Sequence, residues 1–481
     1  MSMPDPAGCC RQADDRQGRY DLAVIGAGSA GFSAAITAAD LGARVALIGH
    51  GTIGGTCVNV GCVPSKTMIR AAEALHQGRA AGRFAGIGGD IGVRDWSALV
   101  AQKDDLVAGL RQAKYVDLLP AYANVTYIEG AARLVDGGVA VNGSTVPADR
   151  IVIATGSHPH APAISGRDTI DWLDSAAALE LATLPRSLLV IGGGYVGCEL
   201  AQLFQRAGVR VTLTCRRRLL PEAEPAIGAA LTGYLRAEGM TVLDGVSYRE
   251  ISRTPDGVRL VYARNGETGA ATADRVLVAT GRRPNTGGLG LAAAGVALTE
   301  AGGIRINDRM RTTRPGTYAA GDVTGRDQFV YMAAYGAKIA AANALDGDSL
   351  VYDNSAMPAV VFTDPQVASV GLTEAEARSA GHAVKTSTVT LDQVPRALAA
   401  HDTRGLIKLV ADANSDRLLG AHILAPEGGD SIQTAALAIR HGMAASDLGA
   451  TIFPYLTTVE GLKLAAQAFA KDVARLSCCA G

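Results

Sequence analysis

Residues 20–49, YDLAVIGAGSAGFSAAITAADLGARVALIG, decide how the rest of the chain is read. Tyr20 to Ile25 is a short apolar run that stops at a glycine cluster, the pattern of a buried strand entering a turn. Ala30 to Leu41 is a run of small residues, a helix able to pack tightly on a sheet, and a second apolar run ends at Gly49. Between strand and helix, Gly26-Ala27-Gly28-Ser29-Ala30-Gly31 satisfies G-x-G-x-x-G. Gly26 permits the tight turn, Gly28 lets a pyrophosphate approach the backbone, and Gly31 lets the helix sit close on the strand. Glycine spacing alone is a weak signal, but the full strand, turn, helix and strand around it make a dinucleotide-binding unit. One feature departs from that pattern. The acidic residue that ordinarily closes the second strand and holds the adenosine ribose is replaced by Gly49-His50, so the ribose is bound more weakly or by another group.

The pattern returns at residues 187–215, SLLVIGGGYVGCELAQLFQRAGVRVTLTC, with Gly192-Gly193-Gly194-Tyr195-Val196-Gly197 as its turn. Its second strand ends at Cys215 and is followed by Arg216-Arg217-Arg218. No carboxylate stands there to accept a ribose 2′-hydroxyl, and three guanidiniums occupy the place of a 2′-phosphate, which favours NADPH over NADH. The competing account is a solvated basic turn. RIVIATG (150–156), ending in Thr155-Gly156, is a strand running into a tight turn, and RVLVATGRRPN (275–285), with Gly281, echoes it. GTYAAGDVTG (316–325) is a further strand with a Gly-Asp end at Asp322. Beyond about residue 355, VTLDQVP, RGLIKLVAD and RLLGAHILAP read as antiparallel strands, followed by helices from Ser431 and Gly461. The expected class is therefore α/β: two doubly wound dinucleotide-binding domains and a C-terminal α+β dimerisation domain. Residues 1–18 are expected to be a disordered tail. The first domain is discontinuous, 19–160 and 286–354; the second spans 161–285 and the third 355–481.

Composition agrees with this division. A chain of 481 residues is too long for one core, and its net charge of −1 leaves no electrostatic footprint for nucleic acid. No apolar run reaches the roughly 20 residues that span a bilayer, and no signal core opens the chain, so a cytoplasmic protein without membrane insertion is expected. Six of the eight cysteines fall in close pairs, Cys9/Cys10, Cys57/Cys62 and Cys478/Cys479, while Cys198 and Cys215 read as buried or incidental. In a reducing compartment such pairs point to redox or metal chemistry.

The stretch GGTCVNVGCVPSK, residues 54–66, is the most specific in the chain. Cys57 and Cys62, four residues apart in between, can close a disulfide while a helix begins around them. Helix N-termini favour thiolates through unpaired N–H groups and the dipole, and a thiol pair of this kind takes up and returns two electrons. A structural disulfide or a zinc site is the alternative, but no second cysteine cluster or histidine pair supplies further zinc ligands.

With these motifs in this order, the chain from about Tyr20 onward resembles the pyridine nucleotide–disulfide oxidoreductase family, which includes glutathione reductase and lipoamide dehydrogenase. The resemblance implies FAD on the first unit, NADPH on the second, and a homodimer. It implies that Cys62 lies against the flavin as the charge-transfer thiol and that Cys57 is the interchange thiol. Lys66 and Glu199 would stand near the flavin N5 region, Asp322 near its ribityl or phosphate region, and Tyr195 over the nicotinamide pocket, ordinary packing being the competing account of that tyrosine. The expected cofactor-binding set is Gly26, Gly28, Ser29, Ala30, Gly31, Gly55, Thr56, Cys57, Lys66, Thr155, Gly156, Gly192, Gly194, Tyr195, Val196, Glu199, Arg216, Arg217, Arg218, Gly281 and Asp322.

Members that reduce organic disulfides carry a His-Pro segment whose histidine protonates the departing thiol. The comparable stretch here, Ile452 to Glu460 (IFPYLTTVE), has no histidine, and the preceding His441 sits in a helix-end context that reads as structural. Disulfide cleavage benefits from a general acid, whereas a soft metal ion has no comparable leaving group to protonate. The chain closes on LSCCAG, and the adjacent thiols Cys478 and Cys479 can engage one soft metal ion, the competing account being an incidental pair on a frayed end. FPYLTTVEGLKLA and LSCCAG resemble the members whose substrate is mercuric ion. That resemblance implies Hg(II), arriving on small thiols or a thiol carrier protein, held by Cys478/Cys479 and passed to Cys57/Cys62 of the other subunit, with Tyr115 and Tyr455 supporting the site. The G-M-T-C-x-x-C signature of the N-terminal metal-binding domain found in many such members does not occur in residues 1–481, so no such domain is expected, and Cys9-Cys10 is either an accessory pair or without function. Three rivals stand beside this reading: a large-type thioredoxin reductase with an electron-shuttling C-terminal dithiol; lipoamide dehydrogenase, disfavoured by Arg216 to Arg218; and a flavin-bearing thiol protein that binds metal without turnover.

Overall fold

The apolar runs on either side of the first glycine turn pair as parallel strands in the computed structural model, which describes residues 18–472. Tyr20–Ile25 lies between Val45–Gly49 and the C-terminal half of Ser144–Ile153, with Ile25 opposite Ile48 on one side and Ile153 on the other. Val125–Glu129 extends the sheet beyond Val45–Gly49, and Thr317–Ala319 pairs along the other side of Ser144–Ile153. Strands in such a sheet are covered on both faces, which is why Leu22, Ala23 and Val24 are wholly buried instead of alternating. The front half of Ser144–Ile153 continues into an antiparallel meander with Gly138–Val141 and Ala132–Val135. The Ser29–Asp40 helix covers the sheet through an alanine face, and the Val330–Leu345 helix, with Ala333, Ala337, Ala340 and Ala341 buried, packs against it. Small side chains let these backbones approach closely. They hold the glycine turn at the carboxyl end of the sheet, where ligands of doubly wound folds bind.

By internal contacts the chain divides into two compact units. Among the described residues, one is 18–57 with Leu110–His158 and Arg283–Tyr352; the other is Val58–Gly109, Pro159–Arg282 and 353–472. Residues 58–109 fall in the second of these units. Trp96 gives the physical reason: its indole N–H donates to the Leu181 carbonyl at 2.7 Å and its ring packs on Phe204.

Within the second unit, a four-stranded parallel sheet runs in the order Thr241–Leu243, Arg210–Thr214, Ser187–Ile191 and Arg275–Val278. A three-stranded antiparallel sheet follows over Ser247–Thr254, Gly257–Arg264 and Glu267–Ala273. The C-terminal part is a five-stranded antiparallel sheet, ordered Ala359–Val361, Gln366–Gly371, Leu418–Ala425, Leu406–Asp412 and Val384–Thr390. The Gly428–Arg440 and Glu460–Gln467 helices pack against it. The α/β class with a C-terminal α+β part is therefore what the chain adopts. Among the described residues no helix is long and apolar enough to cross a membrane.

A buried ion network ties the second unit together. Arg206, 5% exposed at the end of the Tyr195–Arg206 helix, bonds Glu238 at 2.7 and 2.9 Å and the Asp364 carboxylate at 2.9 Å. Gln202, one turn earlier, donates to the Asp364 carbonyl and accepts from its N–H, both at 2.8 Å. Arg404 adds contacts to Asp402, Glu238 and Asp364.

Two histidines of this unit are held neutral. Burial pushes His76 below its ordinary value near 6.5, with the Arg206 charge acting in the same direction. Burial does the same to His422, which is 2% exposed and whose Nδ1 has no hydrogen-bond partner among the described residues. A folded-state pKa below the unfolded one means the unfolded chain takes up protons first as pH falls. Stability is therefore present above about pH 6.5 and declines as the pH drops below it. Urea midpoints measured between about pH 7.5 and 5.5 are expected to fall, less steeply for His422→Gln; Asp412 and Asp416, held at about 2, lose their contribution only at lower pH.

Candidate active site

The first glycine turn is shaped by close approaches that admit no side chain. A first side-chain carbon at Gly26, whose φ is +118°, would come within 2.2 Å of the Ala154 carbonyl oxygen, and one at Gly31 within 1.7 Å of the Gly26 carbonyl oxygen. The Ser29–Asp40 helix that follows has neither a side-chain cap nor an acidic residue in its first turn. Its leading N–H groups can therefore bind an anion such as a pyrophosphate. Gly54 and Gly55 lie directly against the turn: the Gly54 N–H donates to the Ala27 carbonyl at 2.8 Å, and a carbon on Gly55 would meet the Gly28 Cα at 2.6 Å. Ala30 is buried there and Thr56 is exposed.

Three further expected positions gather in this unit. Thr155 and Asn285 exchange hydrogen bonds at 2.8 Å, so the two ATG-type segments brace each other. Ser157, the next residue after Thr155-Gly156, donates to the Asp322 carboxylate at 2.7 Å. Gly321 packs between Ala30 and Ala333, each 3.2 Å from where its side chain would start, which brings Asp322 beside the beginning of the glycine-turn helix. Uncapped N–H donors, a cradle with no room for side chains and an oriented carboxylate fit a flavin dinucleotide. Tyr115 lies in the same unit, on a π-helical turn, with its hydroxyl 3.3 Å from Ser29 Oγ and its ring edge-on to Phe32.

The second glycine turn repeats the device. A carbon at Gly192 would meet the Ala279 carbonyl oxygen at 2.2 Å, and one at Gly197 the Gly192 carbonyl oxygen at 1.8 Å, whereas Gly194 and Gly281 have open space before them. Tyr195 and Val196 begin the helix at that opening, 36% and 39% exposed. The three arginines differ from one another. Arg216 stacks over the Tyr248 ring at 5.6 Å, Arg217 pairs with Glu222 at the surface, and Arg218 donates to the Pro221 and Ala223 carbonyls of its own loop. Cys198 and Cys215 are buried, and burial pushes the Cys215 thiol up to about 11. Neither is poised as a nucleophile.

Cys57 lies in the short Gly55–Asn59 helix, and Cys62 is the first residue of the 18-residue Cys62–Arg79 helix. Both are half-buried. That helix has no acidic residue in its first turn, and its dipole favours a thiolate at Cys62. One turn on, Lys66 Nζ lies 2.7 Å from Glu199 Oε2. Glu199 is 5% exposed, and its other oxygen accepts the Phe362 N–H at 2.9 Å. The ammonium stands 4.8 Å from the centre of the Phe362 ring. Sequence reading named Lys66 and Glu199, and the structure joins them; it did not name Phe362, whose position 163 residues beyond Glu199 leaves no local signal. Ser157 was legible in principle as the residue after the ATG turn.

Tyr455 is 47% exposed in the turn before the Glu460–Gln467 helix, where the Leu456 N–H donates to the buried Glu460 carboxylate at 3.1 Å. His441 is an exposed residue capping the Gly428–Arg440 helix. Cys9, Cys10, Cys478 and Cys479 lie outside the described residues. Among the described residues no group of three or more His, Cys, Asp or Glu side chains could hold a metal ion.

A family model for the pyridine nucleotide-disulphide oxidoreductases matches residues 20–341, and that family's dimerisation domain matches residues 357–466. The chain belongs to the pyridine nucleotide-disulphide oxidoreductase family. Within it, the chain is 48% identical over 468 residues to the mercuric reductase of Streptomyces lividans, covering 96% of this chain and 98% of that one. It is 47% identical over 464 residues to the mercuric reductase of Lysinibacillus sphaericus, covering 96% of this chain and 85% of that one. Among solved structures it is similar to the HOCl-induced flavoprotein disulfide reductase RclA from Escherichia coli, with a TM-score of 0.81 and 30% identity over 93% of this chain and 99% of that one. It is also similar to LpdA from Mycobacterium tuberculosis, with a TM-score of 0.83 and 26% identity over the same shares, 93% and 99%.

Proposed function

We propose that the chain is an NADPH-dependent flavoprotein that reduces Hg(II) to Hg(0) in the cytoplasm, as a homodimer. The reading is carried by the Cys57/Cys62 pair and the histidine-free Ile452 to Glu460 turn, in a chain that aligns almost end to end with mercuric reductases. Residues 19–160 and 286–354 form the FAD domain, 161–285 the NADPH domain, and 355–481 the interface domain with its C-terminal dithiol. The first glycine turn, Thr155-Gly156 and Asp322 hold FAD; the second turn, Tyr195, Gly281 and the basic loop hold NADPH. Bound FAD supplies a relay between the hydride of NADPH and the Cys57–Cys62 disulfide. Glu199 fixes the Lys66 ammonium one turn from Cys62. Cys478 and Cys479 take Hg(II) from small thiols or a thiol carrier and pass it to Cys57 and Cys62 by successive thiolate exchange, each Hg–S bond formed as another breaks. The balance is NADPH and Hg(II) consumed, NADP⁺, a proton and Hg(0) produced. Tyr115 and Tyr455 support the metal during that exchange.

The deciding experiment follows NADPH oxidation in excess small thiol, with Hg(II), oxidised thioredoxin, oxidised glutathione or lipoamide as acceptor. Turnover with Hg(II) and release of volatile mercury are expected; turnover on an organic disulfide alone would overturn the substrate. Nucleotide choice gives a separate prediction. Arg216, whose guanidinium stacks on the Tyr248 ring face and has no ion pair among the described residues, is the strongest candidate partner of the 2′-phosphate. Arg216→Ala should raise the KM for NADPH about 10- to 100-fold, the value of a charge-assisted hydrogen bond, and leave the KM for NADH unchanged. Arg217→Ala, which removes a guanidinium already paired with Glu222, should do less.

A further inference from the structure

The glycine at the end of the second strand is unexplained by backbone conformation. Gly49 is buried and is not among the glycines with positive φ, so its torsions are open to any residue. What forbids a side chain there is space. A first side-chain carbon at residue 49 would lie 2.6 Å from the Tyr127 hydroxyl, 2.8 Å from Tyr127 Cε2 and 2.8 Å from Ala27 Cβ. Tyr127 belongs to Val125–Glu129, the parallel neighbour of Val45–Gly49, with Leu47 opposite Tyr127 and Gly49 opposite Glu129. Its ring leans along the strands so that the hydroxyl comes to rest at the elbow of the glycine turn. That is the spot from which an acidic side chain would reach the adenosine ribose of a bound dinucleotide.

We propose that the Tyr127 hydroxyl replaces the missing carboxylate and hydrogen-bonds the adenosine ribose of FAD, Gly49 being the space it requires. This rests on the flavin reading above. A phenol both donates and accepts, so it matches a ribose hydroxyl as a carboxylate does, without the charge. Burial, and then the charge of Glu129, push the Tyr127 phenol upward, which keeps it protonated and able to donate. The other polar groups nearby are less suited. His50 and Glu129 are both exposed, and the atoms nearest to where a side chain at residue 49 would begin belong to Tyr127 and Ala27, not to Glu129.

The test is a titration of flavin-stripped protein with FAD, followed by flavin fluorescence. Tyr127→Phe, which deletes one oxygen and keeps the ring, should raise the Kd about 3- to 10-fold, the range of a neutral hydrogen bond. With an FAD analogue lacking the adenosine 2′-hydroxyl, wild type and Tyr127→Phe should converge. Gly49→Glu should bind FAD more weakly, because the Tyr127 ring and Ala27 Cβ fill the space its side chain needs. Equal affinities for FAD in wild type and Tyr127→Phe would overturn the proposal, as would a loss that persists undiminished with the deoxy analogue. A wild-type protein that takes up no FAD would instead overturn the flavin reading beneath it.

Discussion

Alanine at Cys57 or at Cys62 is expected to abolish NADPH-driven reduction of Hg(II), by roughly 1,000-fold or about 4 kcal/mol of barrier, while flavin stays bound. The argument is one of electron and ligand count. A single sulfur cannot accept an electron pair as a disulfide does, and it cannot offer two thiolates to one Hg(II). The two variants should nevertheless differ in colour. Cys62 begins a long helix whose dipole favours its thiolate, so Cys57→Ala should keep a long-wavelength flavin–thiolate absorption and Cys62→Ala should lose it. Replacing Cys478 and Cys479 by alanine should slow turnover of thiol-bound Hg(II) but spare reduction of the flavin by NADPH. Rapid-mixing absorbance with and without Hg(II) reads all four results. Full mercury turnover in Cys57→Ala would remove the pair from the chemistry.

Arg206→Met should cost about 3–5 kcal/mol of stability, the largest effect expected of a substitution away from the thiols. Arg206 is 5% exposed and is shared by Glu238 and Asp364, themselves 11% and 9% exposed. Taking the cation away leaves two buried carboxylates with Arg404 as their nearby cation and only the Gln202 amide donating to Glu238, at 3.1 Å, besides. That orphaned charge, more than any loss of net attraction, sets the size of the effect. Arg404→Met should cost less, about 1–2 kcal/mol, because its side chain is 23% exposed and water can screen what remains. Adding Glu238→Gln to Arg206→Met should recover part of the loss. Urea unfolding measures each value, and an Arg206→Met protein as stable as wild type would show that the network is ornamental.

Much of the site was written in local sequence because the chemistry there is local. Gly26 and Gly31 are dictated by backbone atoms a few residues or one strand away, and Cys57, Cys62 and Lys66 occupy consecutive turns of one short stretch. The parallel strands were legible as continuous apolar runs, which only a sheet covered on both faces requires. Element limits were approximate: helices read from Ser431 and Gly461 begin at Gly428 and Glu460.

Local pattern also marked a gap it had no means to fill. It showed that the ribose carboxylate is absent at Gly49, but Tyr127 stands 78 positions away and is brought there only by strand pairing. The same holds for Phe362 against Lys66 and Glu199, and for the Arg206 network, which draws on residues near 206, 238, 364 and 404. It holds again for residues 58–109, whose helices contribute Met68, Ala72, Trp96 and Val100 to the core around Leu200 and Phe204. Turn geometry, strand type and thiol placement follow from neighbours in the chain, so the sequence alone determined them. Which distant side chain fills a vacated space or neutralises a buried charge depends on packing in three dimensions, and only the tertiary structure decided that.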